Sequence, residues 1–493
     1  MNTYEHFIDG DWSAPDAGAY LESIDPASGE TWARFARGNV RDADAAVNAA
    51  HRAFNEGPWS TYSMRQRCDC LVEIADLLER RWPELVEAEI RDNGKRISEI
   101  NPQFGGLHSW YRYFAQQGRE IEPRRLSNQT PGVTNDAHYL PYGVVVAITP
   151  WNSPLMIAAW KIGPALAAGN TVVIKPSEFA SASTLEFARL LAETSLPPGV
   201  VNVVTGFGHE VGEPLVTHQL TRKVSFTGSD FGGRKVAEAA ARNVIPVTLE
   251  LGGKSPQLLF ADADLESAIN GIVSGIFLSN GQTCVAGSRL IVESSLHDEV
   301  VGRLIERVIR LQAGDPLNPG TEIAPLANRA QLDKVMSMIA TARAENATCV
   351  FGGERLYPEE RPNGFYLQPA IFTDVTPRMT LWREEVFGPV LAVIRAADED
   401  EAVTLANDSK YGLAAGVWTS DAERARRIAA QLEVGTVYIN HYRSVDPGSP
   451  IGGFKASGYG RELGPDAVRD FMQIKSVWFG TAPCANPFPP QSG

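Results

Sequence analysis

A cysteine at position 284 stands in NGQTCVAGSR, between a polar run and a Gly-Ser turn. A free thiol titrates near ~8.5 and is mostly protonated at neutral pH, so a nucleophilic Cys284 needs a base close by in space. Its own neighbours favour the plainer reading, a small buried hydrophobe. Glu250 offers the base. In VTLELGGKSP it lies between Leu249 and Leu251 and ahead of two glycines, a poor place for a solvated charge, and burial raises a carboxyl toward the range of a general base. The competing reading is a buried pair with a lysine such as Lys254. GGKS is not a phosphate loop, because Gly-x4-Gly-Lys-Ser needs glycine at 248, where Thr248 stands. Asn152, in TPWNSP, is either a helix cap or an amide donor to an oxyanion.

Other residue pairs suit a dinucleotide. Lys175 and Glu178, in IKPSE, set a cation and a carboxylate three apart; the carboxylate suits a ribose diol and would repel a 2′-phosphate. In FTGSDFGG, Gly228 and Ser229 precede a helix start, where free N–H groups favour a phosphate. GFGHEVG, 206 to 212, has one residue too many for a dinucleotide fingerprint. Five scattered cysteines form neither a disulfide framework nor a spaced metal set, so no metal is expected. Cys68 and Cys70 read as packing residues, Cys349 as a core or edge thiol, and Cys484 as part of a surface-bound tail. His441 and Arg443, in INHYRSVDPGSP, would anchor a substrate carboxylate in one reading; exposed loop cations are the preferred one.

These residues need elements to hold them. Between 142 and 252, apolar runs (YGVVVAIT, NTVVIKPS, GVVNVVTG, RKVSFTGS, IPVTLELGG) alternate with helical patterns, including a short one at HEVGEPLVTH. Continuous apolar strands separated by single helices imply an α/β, doubly wound parallel sheet. Ligands bind outside the carboxyl ends of such strands, and Thr149 to Asn152, Lys175 to Glu178, Gly206 to Gly208, Gly228 with Ser229, and Glu250 to Gly253 all fall there. From 253 to about 455 a second alternation, with strands at SRLIVES, ATCVFGG and GTVYIN, implies a second α/β domain. Residues 41 to 91 read as helices. The turn-rich stretch 122 to 141 is equally an arm for another subunit or a surface loop.

At 493 residues the chain exceeds a single core and implies two or three domains. A net charge of -14 argues against nucleic acid. Without a signal-like start or an apolar run of about 18 residues, the expectation is a cytoplasmic protein with no membrane partner.

TPWNSPL, IKPSE, FTGS, LELGGKSP, NGQTC, EEVFGPV and GGFKASGYGRE, in this order, resemble the NAD(P)-dependent aldehyde dehydrogenases over nearly the whole chain. The resemblance implies that Cys284 is the nucleophile, Glu250 the base that activates water, and Asn152 an oxyanion donor. It implies NAD, with NADP possible in principle, held by Thr149, Trp151, Lys175, Glu178, Gly208, Gly228, Ser229, Glu385 and Phe387. It further implies a cofactor domain (1–117 and 142–252), a catalytic domain (253–455) and a small β oligomerisation arm with the C-terminal segment (118–141 and 456–493), in a homodimer or homotetramer. Ser153, Trp160, Thr283, Val285, Arg443 and Ile451 would line the aldehyde channel. Ser153 and Ile451 stand where the family often has aromatics, which suggests a wider channel for a bulky aliphatic, cyclic or aromatic aldehyde. A semialdehyde is the alternative. Acyl transfer to coenzyme A is disfavoured by the presence of Glu250, and a non-catalytic binding or structural protein by the retention of Cys284, Glu250 and Asn152 together.

Overall fold

The five apolar runs between 142 and 252 form one parallel sheet. The computed structural model describes residues 2–128, 130–359, 361–481, 483 and 487–488. Its strands lie in the order Val247–Glu250, Thr221–Thr227, Val144–Ile148, Thr171–Lys175 and Val201–Val203. Val144–Ile148 and Thr171–Lys175 are buried at every position, as strands covered by helices on both faces must be. Register then fixes where the strands stop: Ile148 lies opposite Lys175 and Phe226, and Thr227 opposite Glu250. The polar residues that follow each strand therefore emerge along one edge. The helix Pro154–Ala168, which returns from the first strand, is buried along nearly its whole length, Lys161 included. HEVGEPLVTH is not one helix: Gly208–Gly212 makes a wide turn, and only Glu213–Thr217 is α-helical.

Sequence periodicity does not announce the two edges of this sheet. His6–Ile8 and Asp11–Ser13 add an antiparallel hairpin beyond Val201–Val203. At the other edge Gly458–Tyr459 pairs antiparallel with Val247–Glu250, which sets Gly458 opposite Glu250. Residues 41 to 91 form the helices Val40–Asn55, Met64–Arg81 and Pro83–Asn93. Cys68 and Cys70 are buried in the core beneath them.

A second sheet has seven strands, in the order Thr348–Gly352, Ala370–Thr373, Val390–Ala396, Arg289–Glu293, Pro256–Leu259, Ala414–Trp418 and Thr436–Ile439. Four of them were not legible as strands. Pro256 opens one, the first-residue position to which proline is confined in a sheet, and AAGVW at 414–418 is rich in residues of low β propensity. Cys349 lies half-buried on the edge strand; Cys484 lies outside the described residues. Within the turn-rich excursion, Arg124–Leu126 and Val133–Pro141 form strands, and Met472–Gly480 pairs with the latter from Met472 opposite Pro141 to Gly480 opposite Val133. Ile474, Trp478 and Phe479 are exposed on this small sheet.

Gly458 closes the cofactor-side sheet at φ +116°, and a Cβ there would sit 2.0 Å from the Leu249 carbonyl oxygen. A side chain forced into such a backbone costs about 1–3 kcal/mol, besides the clash. Gly458→Ala is expected to lower the melting temperature in calorimetry and to reduce turnover by displacing the strand end that carries Glu250. An unchanged melting temperature would show that this pairing does not hold the sheet edge.

Candidate active site

Cys284 reaches its position through a tightly held loop. The helix Leu265–Phe277 ends, and Ser279 and Asn280 turn the chain through left-handed backbone at φ 52° and 51°. The Gln282 side chain accepts from the Ala327 amide at 2.9 Å, and Asn280 donates to the Pro325 carbonyl at 3.1 Å. The loop is thereby tied to the segment ahead of the helix Arg329–Ala344, and the half-buried Cys284 thiol faces a cavity.

Asn152 follows the first strand, and its amide donates to the Gln282 carbonyl at 2.9 Å. That bond orients the amide beside the nucleophile loop. Glu250 ends the fifth strand and is buried, with one carboxyl oxygen bonded to nothing among the described residues. The two glycines after it permit close approach: a Cβ at Gly252 would meet Glu385 Oε2 at 2.2 Å, and one at Gly253 would meet the Cys284 carbonyl oxygen at 2.6 Å. Glu250, Asn152 and Cys284 together line both a cavity of about 690 Å³ and a smaller one of about 150 Å³.

The electrostatics differ from the simplest sequence reading, in which Glu250 pairs with Lys254. The Lys254 ammonium has no hydrogen-bond partner among the described residues, and burial beside Arg289 pushes its pKa down to about 7. The charges that act on Glu250 are Glu462 and Lys161. Burial foremost, then the Glu462 carboxylate, raise the Glu250 pKa well above its usual range, while Lys161 and Arg461 oppose the rise. Lys161 is occupied by Glu462, by Ser225 Oγ at 2.9 Å and by Thr227 Oγ1 at 2.8 Å. Burial and the carboxylates of Glu385 and Glu250 push the Cys284 thiol up to about 12. Cys284 at rest is thus a thiol, and to act as a nucleophile it would need a proton acceptor. Lys161 and Glu462 escaped the sequence reading, although Lys161 is the one charge in PLMIAAWKIGPALAAG, a signal available there.

The cofactor candidates gather on the other side of the nucleophile. Thr149, Trp151, Lys175, Glu178, Gly208, Gly228 and Ser229 line a separate cavity of about 690 Å³. Ser229 caps the helix Asp230–Ala241, accepting from the Gly232 amide, so the first-turn N–H groups face this space. Thr149 Oγ1 is buried without a partner among the described residues. The Lys175 ammonium lies 3.4 Å from Glu178. Glu385 and Phe387 line the small cavity between this space and Cys284, with Phe387 edge-on to Trp151 at 5.2 Å and Glu385 accepting from the Gly253 amide at 2.9 Å. An elongated ligand with a diol, a pyrophosphate and a flat ring fits this row, which has an orphaned hydroxyl, a carboxylate and a helix N-terminus along its length.

The larger cavity is lined by Ser153, Trp160, Thr283, Val285, Arg443 and Ile451, as the channel candidates require. Trp160 packs on Trp110 at 5.6 Å. One expectation is overturned. Arg443 is not a solvated loop cation: it is half-buried in this cavity, donating to the Ser274 carbonyl and Ser279 Oγ, both at 3.2 Å. Its backbone, at φ 69°, turns the side chain inward from the strand end that also carries Tyr442. His441 alone is exposed, bonded to Ser444. Lys95 and Glu99, which sequence reading passed over because they lie far upstream in a helical region, line the same wall.

Residues 12–477 match the sequence profile of the aldehyde dehydrogenase family. The chain is 42% identical to a chloroplastic betaine aldehyde dehydrogenase of Beta vulgaris, over 96% of this chain and 95% of that protein. It is 41% identical to a chloroplastic aminoaldehyde dehydrogenase of Arabidopsis thaliana, over 98% and 97%. Among solved structures, a Staphylococcus aureus betaine aldehyde dehydrogenase in complex with NAD+ superposes with a TM-score of 0.96 at 36% identity, covering 98% of this chain and 96% of that one. An NAD+ complex of an aldehyde dehydrogenase from Bacillus cereus superposes with a TM-score of 0.94 at 39% identity, covering 97% of each. With its sheets, nucleophile loop and strand-end residues arranged as above, the chain belongs to the aldehyde dehydrogenase family.

Proposed function

We propose that this protein oxidises an aldehyde to its carboxylic acid with NAD, through a covalent intermediate on Cys284. The observation that carries the proposal is the meeting of Cys284, Asn152 and Glu250 where a substrate-sized cavity joins a dinucleotide-sized one. The Cys284 thiol gives its proton to a base and its sulfur bonds the aldehyde carbon, while the Asn152 amide donates to the oxygen that gains charge. Bound NAD supplies the acceptor for the hydride that leaves this carbon. Glu250 then takes a proton from a water whose oxygen attacks the resulting thioester, and the carbon–sulfur bond breaks to return Cys284. Glu250 has the raised proton affinity this step requires, which favours water over coenzyme A as the acyl acceptor.

For the cofactor, Lys175 and Glu178 meet the adenosine ribose, Gly208 the adenine side, Gly228 and Ser229 the pyrophosphate, Thr149 and Trp151 the approach to the nicotinamide, and Glu385 with Phe387 its ribose. The Glu178 carboxylate favours NAD over NADP. Ser153, Thr283, Val285 and Ile451 add no aromatic bulk to that of Trp110 and Trp160 in the channel, in keeping with a bulky aliphatic, cyclic or aromatic aldehyde. The cofactor unit comprises 1–117 and 142–252, the catalytic unit 253–455, and 118–141 with 456–493 the arm. Exposed Ile474, Trp478 and Phe479 on that arm suit burial against another copy in a dimer or tetramer. No helix among the described residues is long and apolar enough to cross a membrane, and Cys68, Cys70, Cys284 and Cys349 are free, in keeping with a reducing, cytoplasmic setting.

Cys284→Ala is expected to lower NADH formation across an aldehyde panel by at least ~10³-fold while NAD still binds, as titrated by calorimetry. Undiminished turnover would remove Cys284 as nucleophile. Glu250→Gln is expected to give one equivalent of NADH in a burst and then stall, with an acylated Cys284 visible by intact-protein mass spectrometry; steady turnover without a burst would place the base elsewhere.

Both Glu250 and Cys284 must lose a proton before they act, and both have raised pKa values, so kcat/KM should rise with pH. Lys161 holds the Glu250 pKa down, and removing its charge in Lys161→Met should move the rise in the pH–rate profile to higher pH. A shift to lower pH would contradict the assignment.

A further inference from the structure

Apart from Glu250 and the Glu462 that pairs with Lys161, the charged residues lining the substrate cavity are more positive than negative. Lys95, Arg96 and Arg443 line it with Glu99, and Asp446 stands at the exposed rim. Arg96 pairs with Glu99 at 3.0 Å, and Ser279 Oγ donates to the same carboxylate at 2.8 Å. Neither Lys95 nor Arg443 has a carboxylate within 4.0 Å among the described residues. Lys95 donates only to the hydroxyl of Ser153, and Arg443 only to the Ser274 carbonyl and the Ser279 hydroxyl. An ammonium has three N–H donors and a guanidinium five, so most of the donors of these two cations have no partner among the described residues. Glu99 records the imbalance: burial alone would raise its carboxyl, yet Arg96, Arg443 and Lys95 together hold it below its usual range.

The carboxylates that act on them, Glu89 and Glu99 on Lys95 and Glu99 on Arg443, lie beyond ion-pair distance, and burying a cation without a directly paired counter-charge is unfavourable unless something in the working complex supplies one. Both cations line the same cavity as Cys284. Arg443 has left-handed backbone at φ 69°, and strained non-glycine backbone is concentrated at ligand sites.

We propose that Lys95 and Arg443 form an anion subsite in the aldehyde channel, so that the preferred substrate is an aldehyde with a carboxylate at its far end. This rests on the aldehyde dehydrogenase reading of the site. The carboxylate would accept from the free N–H groups of Arg443 and the ammonium of Lys95, while the aldehyde carbon reaches Cys284. It deepens the account of the channel as wide: the space opened beside Trp160 holds a charged arm.

The test compares three aldehydes of similar length on the native enzyme: 5-oxopentanoate, pentanal and 4-(trimethylammonio)butanal. The acid is expected to exceed pentanal by about tenfold or more in kcat/KM, and the cation to fall below pentanal. In Arg443→Gln and, separately, Lys95→Gln, the acid-to-neutral ratio should drop by about tenfold through KM, with Arg443→Lys restoring part of it. A ratio near one in the native enzyme, or one unmoved by both substitutions, overturns the proposal. A binding measurement separates this proposal from the reading on which it rests. Glutarate should quench the fluorescence of Trp110 and Trp160 in Cys284→Ala, and 1,5-diaminopentane should not. Glutarate binding without turnover of any aldehyde would refute the oxidation and leave the anion subsite standing; oxidation of pentanal without glutarate binding would do the reverse.

Discussion

Glu250, Glu462 and Lys161 share one water-poor space beneath the nucleophile, two carboxyls with one ammonium. Ionising both acids there would bury a negative charge that nothing neutralises. Of the two acids, only Glu462 is bonded to the ammonium among the described residues: one of its oxygens receives Lys161 and the Ser225 hydroxyl at 3.0 Å, while its other oxygen, like one oxygen of Glu250, has no partner there. Glu250 is therefore the one with the raised proton affinity. The three groups come from a strand end, from the middle of the helix Pro154–Ala168 and from the segment after Gly458–Tyr459, which completes the sheet edge. Closing the sheet and tuning the base are one arrangement, since Glu462 arrives only with that returning segment.

The same burial governs Cys284. Reactive thiols commonly sit beside cations that hold them as thiolates, whereas here burial and two nearby carboxylates hold the proton on, with a pKa pushed up to about 12. Nucleophilicity then depends on proton transfer within the occupied site. A resting thiol is also a poor target for oxidants, which follow thiolate character. The loop geometry fits this restraint, because the left-handed turn at Ser279 and Asn280 and the anchor at Gln282 fix the position of the sulfur while leaving its proton affinity to the surroundings.

The cofactor sheet was legible in the sequence because a doubly covered parallel strand has an unbroken apolar run, and because register brings polar strand ends to one edge. The proposed catalytic trio of Cys284, Glu250 and Asn152 was legible only through short motifs; Cys284 alone reads as a buried hydrophobe. What escaped has physical reasons. Lys161 and Glu462 lie far apart in sequence and meet only when the C-terminal segment folds back. Arg443 sits in a loop of polar and turn residues, where solvation is the normal outcome, and only the Ser274 and Ser279 acceptors draw it inward. The strands Ala370–Thr373 and Ala414–Trp418 are short and lack the alternation that marks a half-buried strand.

The width of the aldehyde channel and its charge have one origin. Ser153 is small, and its hydroxyl accepts from Lys95; a bulky aromatic at that position would occupy the space through which the ammonium reaches the cavity wall. Removing bulk beside Trp160 therefore does two things at once: it enlarges the cavity and exposes a cation to it. Arg443 adds a second cation to the same cavity, and among the described residues Glu99 is within ion-pair distance of Arg96 and of neither Lys95 nor Arg443. Size alone would admit many aldehydes. Charge makes the channel selective, because an apolar arm leaves two buried cations unsatisfied, a cationic arm adds a third, and an anionic arm removes the imbalance.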